Sequence, residues 1–373
     1  MTDTAVSTTQ LRTGEKRSVL RVVTYAGAII AFLIGSGFAT GQEILQYYAS
    51  YGFWGIFGTG LLVLVLMSYV AVEFFLVGRA QQFAKPSGVF HYYCGKHLGT
   101  FFDYFSILFV FLSFTVMVSG AGAVFEEHYG VSKFVGGIAL AAAVALTVWF
   151  GLKNLVEIIG KIGPVIVVVA IALGIYGIVT NPGGIVEGNA IVGDLDVTQA
   201  SSNWFLAGLS YVGFCMLWLA AFLAALGKAS NRREAVGGGL LGGILFSLAC
   251  MIVGLGLLAN IESLFDAEIP MLVLAGGLGP WLAAGISVMI LAGIYTTAVP
   301  LLWTVSSRFY DDSQPGFKYL TVVLAIVGTV VGLVLPFSQM VNIVYVINGY
   351  VGILLLVLML VKTISRVAGR QKA

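Results

Sequence analysis

The stretch Gly35-Ser-Gly-Phe-Ala-Thr-Gly-Gln-Glu43, GSGFATGQE, decides how this chain is read. It lies inside an apolar run from about Val19 to about Tyr48, long enough to cross a membrane. Glycine is permissive about φ, so three of them weaken a helix. Ser36, Thr40, Gln42 and Glu43 add polar groups, and an acidic side chain in hydrocarbon costs about 2.5 kcal/mol or more. Gly37 and Gly41 also form a GxxxG close-packing motif. The run is therefore either packed against another helix or unwound around a polar cavity. In the second case the first half-helix ends in free carbonyls and the second begins with free N–H groups. One lip is electronegative and the other electropositive, so the gap holds a cation on one side and an anionic solute group on the other. Gly35, Ser36, Gly37, Phe38, Thr40 and Glu43 are the solute-binding candidates of this stretch.

Working outward, the chain is 59% hydrophobic and 10% charged, with mean hydropathy +1.00. Soluble domains carry about 25% charged residues, so this is a polytopic membrane protein embedded in a lipid bilayer. Ten spans are expected, at about 19–50, 53–78, 100–125, 131–151, 154–180, 203–227, 234–259, 280–307, 317–336 and 338–362. With the N-terminus inside, all 19 Lys and Arg residues except Lys133 and Lys161 fall on one side. The loops at 181–202 and 260–279 carry acidic residues and no Lys or Arg. This is the positive-inside pattern, and it predicts two cytoplasmic termini. Tyr47, Tyr48, Tyr51 and Trp54 are expected as interfacial aromatics outside, and Phe317 and Tyr319 inside.

Ten helices divide into five plus five. The expected division is a disordered cytoplasmic tail 1–18, a first five-helix repeat 19–180, an extracellular loop 181–202, a second repeat 203–363 and a cytoplasmic tail 364–373. An odd number of spans per half inverts the second half, a common plan of secondary transporters. The matching helix of the second half has its own polar and small run, LSYVGFC from Leu209 to Cys215, which adds Ser210, Tyr211, Gly213 and Phe214 as solute-binding candidates. Two corresponding interrupted spans are the best sequence pointer to a transporter site. The fold class expected is all-α and polytopic: ten transmembrane helices in a 5+5 inverted repeat with helices 1 and 6 broken.

Cys94, Cys215 and Cys250 are widely spaced and form no metal or disulfide motif. His91, His97 and His128 fall in loops, and the spans hold no catalytic constellation. An enzyme is not expected, nor a cofactor or a nucleic-acid partner. A channel would need a selectivity loop, which the sequence does not offer.

The segments IGSGFATGQEILQYY and WFLAGLSYVGFCMLW, with the ten-span layout, resemble the YkvI-type membrane proteins of the amino acid–polyamine–organocation transporter superfamily. The resemblance covers nearly the whole chain beyond residue 18. It implies the LeuT-type fold, a bacterial plasma-membrane location and a small-molecule substrate, with an amino acid as the leading class. It also implies a site for sodium as coupling ion, with carbonyls of Ala31 and Ile34 before the break, the carbonyl of Gly293 and the hydroxyls of Thr296 and Thr297. The residues agree: positions i, i+3 and i+4 share a helix face, and neutral oxygens without a carboxylate suit a monovalent cation better than calcium. The competing reading has both threonines bonding back to their own helix.

Lys161 is a rival coupling group, because in proton-coupled relatives a lysine on the fifth helix stands where sodium would be. It could equally pair with Glu157 four residues earlier or reach the membrane surface. Ser113, Thr115 and Ser119 in helix three and Asn342, Tyr345 and Asn348 in helix ten bring further polar atoms toward the centre. Glu73 and Asp103 are expected at the interface. The segment Ile261–Pro280 is too short for a span and too long for a turn, which suits a lid.

Overall fold

In the computed structural model the described backbone covers residues 3–150, 156–311 and 313–370; side chains are described outside 3–17, 156–163, 367, 369 and 370. The described residues form helices and connecting turns, with no strand among them. The first apolar run is α1 (Asp3–Leu33), α2 (Ser36–Thr40) and α3 (Gln42–Tyr47), followed by a 3-10 turn at Ala49–Tyr51 and a π-turn at Trp54–Thr59. The first half continues with α4 (Gly60–Gln81), α5 (Gly88–Tyr129), α6 (Lys133–Phe150) and α7 (Val156–Thr180). A short α8 (Gly184–Ile191) leads to α9 (Trp204–Lys228) and α10 (Arg232–Leu258). Two short helices, α11 (Ile261–Leu264) and α12 (Pro270–Gly276), precede α13 (Pro280–Ser307), α14 (Pro315–Gly332) and α15 (Phe337–Arg370).

Among the described residues, eight helices are long and apolar enough to cross a membrane. The other two expected spans fall on α1, whose apolar part Ser18–Leu33 is cut short by the break, and on α7, which bends by 94° into α8. The ends differ from expectation. Residues 3–18 continue α1 rather than forming a disordered tail, and no Pro interrupts the run. Residues 364–370 likewise extend α15. Gly95, at φ +70°, kinks α5, so residues 88–94 form a helical approach to the span.

The packing repeats between halves. α4 packs along α9 as α10 packs along α1, and α4 and α10 pack on each other, which makes a four-helix group of α1, α4, α9 and α10. Around it stand α5, α6, α13 and α14, and α15 lies against α9 and α5.

The expected second break is absent. α9 runs unbroken through Leu209–Cys215. The small residue there serves contact between helices: a Cβ on Gly213 would lie 2.1 Å from the Gly349 carbonyl oxygen, and one on Gly352 2.0 Å from that of Gly213. Gly213 therefore supports close approach of α9 and α15, a packing role for small membrane residues.

Four interfacial assignments also change. Tyr47 and Tyr48 are fully buried, because α3 turns inward after the break and is enclosed by α9, α10 and α15. Phe317 is buried as well, while Trp54 and Tyr319 remain exposed, at 67% and 72%. Glu73 is buried rather than interfacial: Arg366 from the last helix binds both its oxygens, at 2.7 and 2.8 Å.

Candidate solute and cation sites

The interruption of the first helix is built at two points. Gly35 is extended (φ −99°, ψ −162°), and its N–H turns to the Leu33 carbonyl at 3.0 Å. The Ala31 carbonyl thereby loses the amide four residues on that a continuous helix would supply. The next closed turn starts where Ala39 N–H reaches Gly35, leaving Ile34 in the gap. The second point is Gly41 at φ +85°, a left-handed conformation that favours glycine. The Thr40 hydroxyl donates to Gly37 at 3.1 Å and accepts from Gln42 N–H at 3.4 Å, stitching the short α2 to α3.

This geometry folds Glu43 back over the break. Its carboxylate is buried and accepts a hydrogen bond from the Tyr211 hydroxyl of α9 at 2.6 Å. A Cβ on Gly37 would stand 2.7 Å from the other carboxylate oxygen and 3.1 Å from the Tyr345 ring. Aromatic rings enclose the pair. Tyr211 makes edge contacts with Tyr47, Tyr48 and Phe214 at 5.1, 5.2 and 5.1 Å. Phe214 stacks on Tyr345 at 4.8 Å, and Phe38 lies against Phe246. Several buried polar atoms here have no hydrogen-bond partner: Ser36 Oγ, Tyr47 OH, Ser210 Oγ, Trp218 Nε1, Tyr345 OH and Asn348 Oδ1. Native interiors leave few such groups, and each one points to an unfilled role.

Beside the break lies a cavity of about 860 Å³. Ala31, Ile34, Thr296 and Thr297 line it, with Pro164, Phe109 and Trp218. It reaches the end of the bundle that carries Lys85 and the Arg308–Asp103 ion pair, closed at 2.8 Å. Trp218 stacks on Phe109 and contacts Phe214 and Tyr345, so it separates this cavity from the polar cluster around Glu43.

The opposite end is shut. Gln42 donates to the Ala267 carbonyl at 2.9 Å, and Gln46 donates to the Ser338 carbonyl at 2.8 Å. Asn342 donates to Gln46 at 3.1 Å, and Glu268 accepts from Ser338 N–H at 2.6 Å. Met271 presses on Gly41, whose Cβ would meet it at 2.7 Å. The α11–α12 segment is thus seated over this end as a lid.

The expected cation ligands are brought together only in part. Ala31, Ile34, Thr296 and Thr297 share one cavity. Both threonine hydroxyls donate to the Gly293 carbonyl, at 3.0 and 2.9 Å. That is the back-bonded arrangement, and it occupies the Gly293 oxygen. A hydroxyl that donates keeps its lone pairs, so both threonine oxygens retain acceptor capacity in the cavity wall they share with Ala31 and Ile34. Ser113 and Thr115 donate to carbonyls of their own helix, Phe109 and Leu112. The side chains of Lys161 and Glu157 lie outside the described residues.

Of the solute candidates, Gly35, Ser36, Gly37, Phe38, Thr40, Glu43, Ser210, Tyr211 and Phe214 gather at or beside the break. Gly213 faces α15 instead. Trp218 is a site residue that sequence reasoning missed. Its signal was available, since Tyr211, Phe214 and Trp218 follow the i, i+3, i+7 spacing of one helix face.

No family model matches the chain. It is similar to the uncharacterized membrane protein YkvI of Bacillus subtilis (strain 168), with 20% identity over 350 residues, covering 90% of this chain and 94% of that protein. It is also similar to the uncharacterized protein YyaD of the same organism, 24% identical over 338 residues, covering 89% and 94%. Among solved structures, MhsT in complex with L-phenylalanine superposes with a TM-score of 0.61 at 16% identity, covering 90% of this chain and 87% of that one. An Eremococcus coleocola manganese transporter, in complex with an aromatic bis-isothiourea compound, superposes with a TM-score of 0.56 at 16% identity, covering 92% and 77%. The chain has the LeuT-type fold of these transporters, and its resemblance to YkvI runs along nearly its whole length.

Proposed function

We propose that the chain is a secondary active transporter that moves a small organic solute by cation symport. An amino acid is the leading class of solute, and sodium is favoured over the proton as coupling ion. The observation that carries this reading is the interrupted first helix. It places loosened backbone and a buried carboxylate between a cavity open at one end and a hydrogen-bonded closure at the other. A site with one open and one latched side is what alternating access requires. The mobile group would be α1–α3, α4, α9 and α10, rocking against the surrounding helices.

The test is uptake into proteoliposomes from a mixture of labelled amino acids, under a sodium gradient and then under a proton gradient. Uptake that collapses when choline replaces sodium supports the reading. Uptake that follows only the proton gradient moves the coupling role to Lys161. Gly37→Leu should abolish uptake, because its side chain enters the space of the Glu43 carboxylate. Full activity in that variant would sink the broken-helix mechanism.

A further inference from the structure

We propose that Glu43 is the specificity-determining residue of this site, and that the feature it recognises is a protonated amine on the solute. This rests on the transporter reading above.

The first argument is which acceptors remain. With α9 unbroken, the carbonyls of Leu209–Cys215 stay inside its helix and offer nothing to a ligand. A positively charged group must find its acceptor elsewhere, and among the described residues Glu43 is the one acidic side chain of the cluster. Among the described residues no Lys, Arg or His forms an ion pair with it. Its neighbours are tyrosines and cysteines: Tyr211 and Cys215 on α9, Cys250 on α10, Tyr345 on α15, Tyr47 on α3 and Tyr48 just after it. A carboxyl in a membrane interior carries its charge only beside a cation, and among the described residues none stands against this one.

The second argument is geometry. Tyr211 occupies one carboxylate oxygen, and the other lies over the Gly37 backbone beside Tyr345. An ammonium group has three N–H donors. Ser36 Oγ lies beside the Tyr345 hydroxyl and Ser210 Oγ beside that of Tyr47, each pair in loose contact only, with no partner in good hydrogen-bond geometry. They are acceptors for the donors that Glu43 leaves over. The faces of Tyr47, Tyr211, Phe214 and Tyr345 add attraction for a cation and exclude water. Among the described residues the cluster presents no cationic side chain to a solute carboxylate, so in this proposal the amine, not the acid, decides binding. Entry is from the large cavity, past Trp218 and Ile34.

The experiment uses three probes of one shape: phenethylamine, L-phenylalanine and 3-phenylpropanoate. Thermal unfolding of the purified full chain is measured with each, in the wild type, in Glu43→Gln and in Gly285→Ala. Methylammonium and butylamine extend the series to smaller bodies. Amine-bearing probes should raise the unfolding temperature of the wild type, and 3-phenylpropanoate should not. Glu43→Gln keeps the side-chain size and should weaken the amine by about tenfold to a hundredfold. Gly285→Ala, on α13 with nothing within 4 Å of its Cβ position, lies outside the site and should retain binding; an unfolding temperature of Glu43→Gln without probe close to that of the wild type guards against a variant that merely misfolds. Stabilisation by 3-phenylpropanoate, amine binding that survives Glu43→Gln, or no response to any amine overturns the proposal. Proton-driven uptake lost in Glu43→Gln with amine stabilisation unchanged would make Glu43 a proton carrier only, and also overturns it. If amines bind at Glu43 but no gradient drives uptake, this assignment stands and the transporter reading falls. If uptake occurs for solutes lacking an amine, the reverse holds.

Discussion

Gly213 on α9 and Gly349 on α15 touch backbone to backbone, so closely that a Cβ on Gly213 would stand 2.1 Å from the Gly349 carbonyl oxygen. The obstacle is main chain and cannot swing aside. Gly213→Ala should therefore destabilise the protein at the upper end of the overpacking range of about 1–3 kcal/mol. Gly285→Ala on α13 is the control, because nothing lies within 4 Å of its Cβ position. There the helix propensity of alanine should stabilise by up to about 1 kcal/mol. Thermal unfolding in detergent checks both, and equal behaviour of the two variants would refute the contact.

That pair also shows where sequence reading stops. GSGFATGQE and LSYVGFC look alike as interruptions, since both mix small and polar residues in an apolar span. Only the first opens. What separates them is the partner opposite: Gly213 meets Gly349 and Gly352, distant in the chain, while Gly37 meets the Glu43 side chain. The burial of Tyr47 and Tyr48 was hidden for a similar reason. A tyrosine at a span's end reads as interfacial unless one knows that the helix has turned inward. The positions of eight of the ten expected spans and the break near Gly35 depended on local composition, and they were legible.

The Glu73–Arg366 pair ties α4 to the last turns of α15, and Tyr93 OH and Thr363 Oγ1 complete the carboxylate's contacts at 3.1 and 3.2 Å. Arg366→Ala would leave a buried charge short of its partner. Breaking a fully buried pair costs about 3–5 kcal/mol. With Arg366 33% exposed, solvent screening reduces the expectation to about 1–3 kcal/mol. Adding Glu73→Gln to Arg366→Ala should restore part of the loss, which a double-mutant cycle of unfolding temperatures measures. Strict additivity would refute the coupling.

Gln46 is the hub of the closed end, bonded to Gln42, Ser338 and Asn342. Gln46→Leu would strip these bonds in the closed arrangement, at about 1 kcal/mol for each. The equilibrium should then shift away from the state open at the basic end. A cysteine at Ala28, which lines the large cavity, reports that state. Its alkylation from the basic end should slow several-fold when Gln46→Leu is added. An unchanged rate would mean that the latch does not hold this state.

The Thr297 hydroxyl decides between the back-bonded and the cation-binding accounts of α13. Both begin from the same hydrogen bond to Gly293, but they diverge in sodium. A ligand that binds only the folded state stabilises it by RT ln(1 + [L]/Kd), about 2.7 kcal/mol at one hundred times Kd. If Ala31, Ile34, Thr296 and Thr297 hold sodium, the wild type should unfold at a higher temperature in sodium chloride than in choline chloride at equal ionic strength. Thr297→Ser keeps the oxygen and should keep the difference. Thr297→Ala removes one ligand of four and should lose most of it, with little change in choline. If the hydroxyl only bonds back to its helix, the alanine variant should shift equally in both salts. A difference between salts that persists in Thr297→Ala would place the ion away from α13.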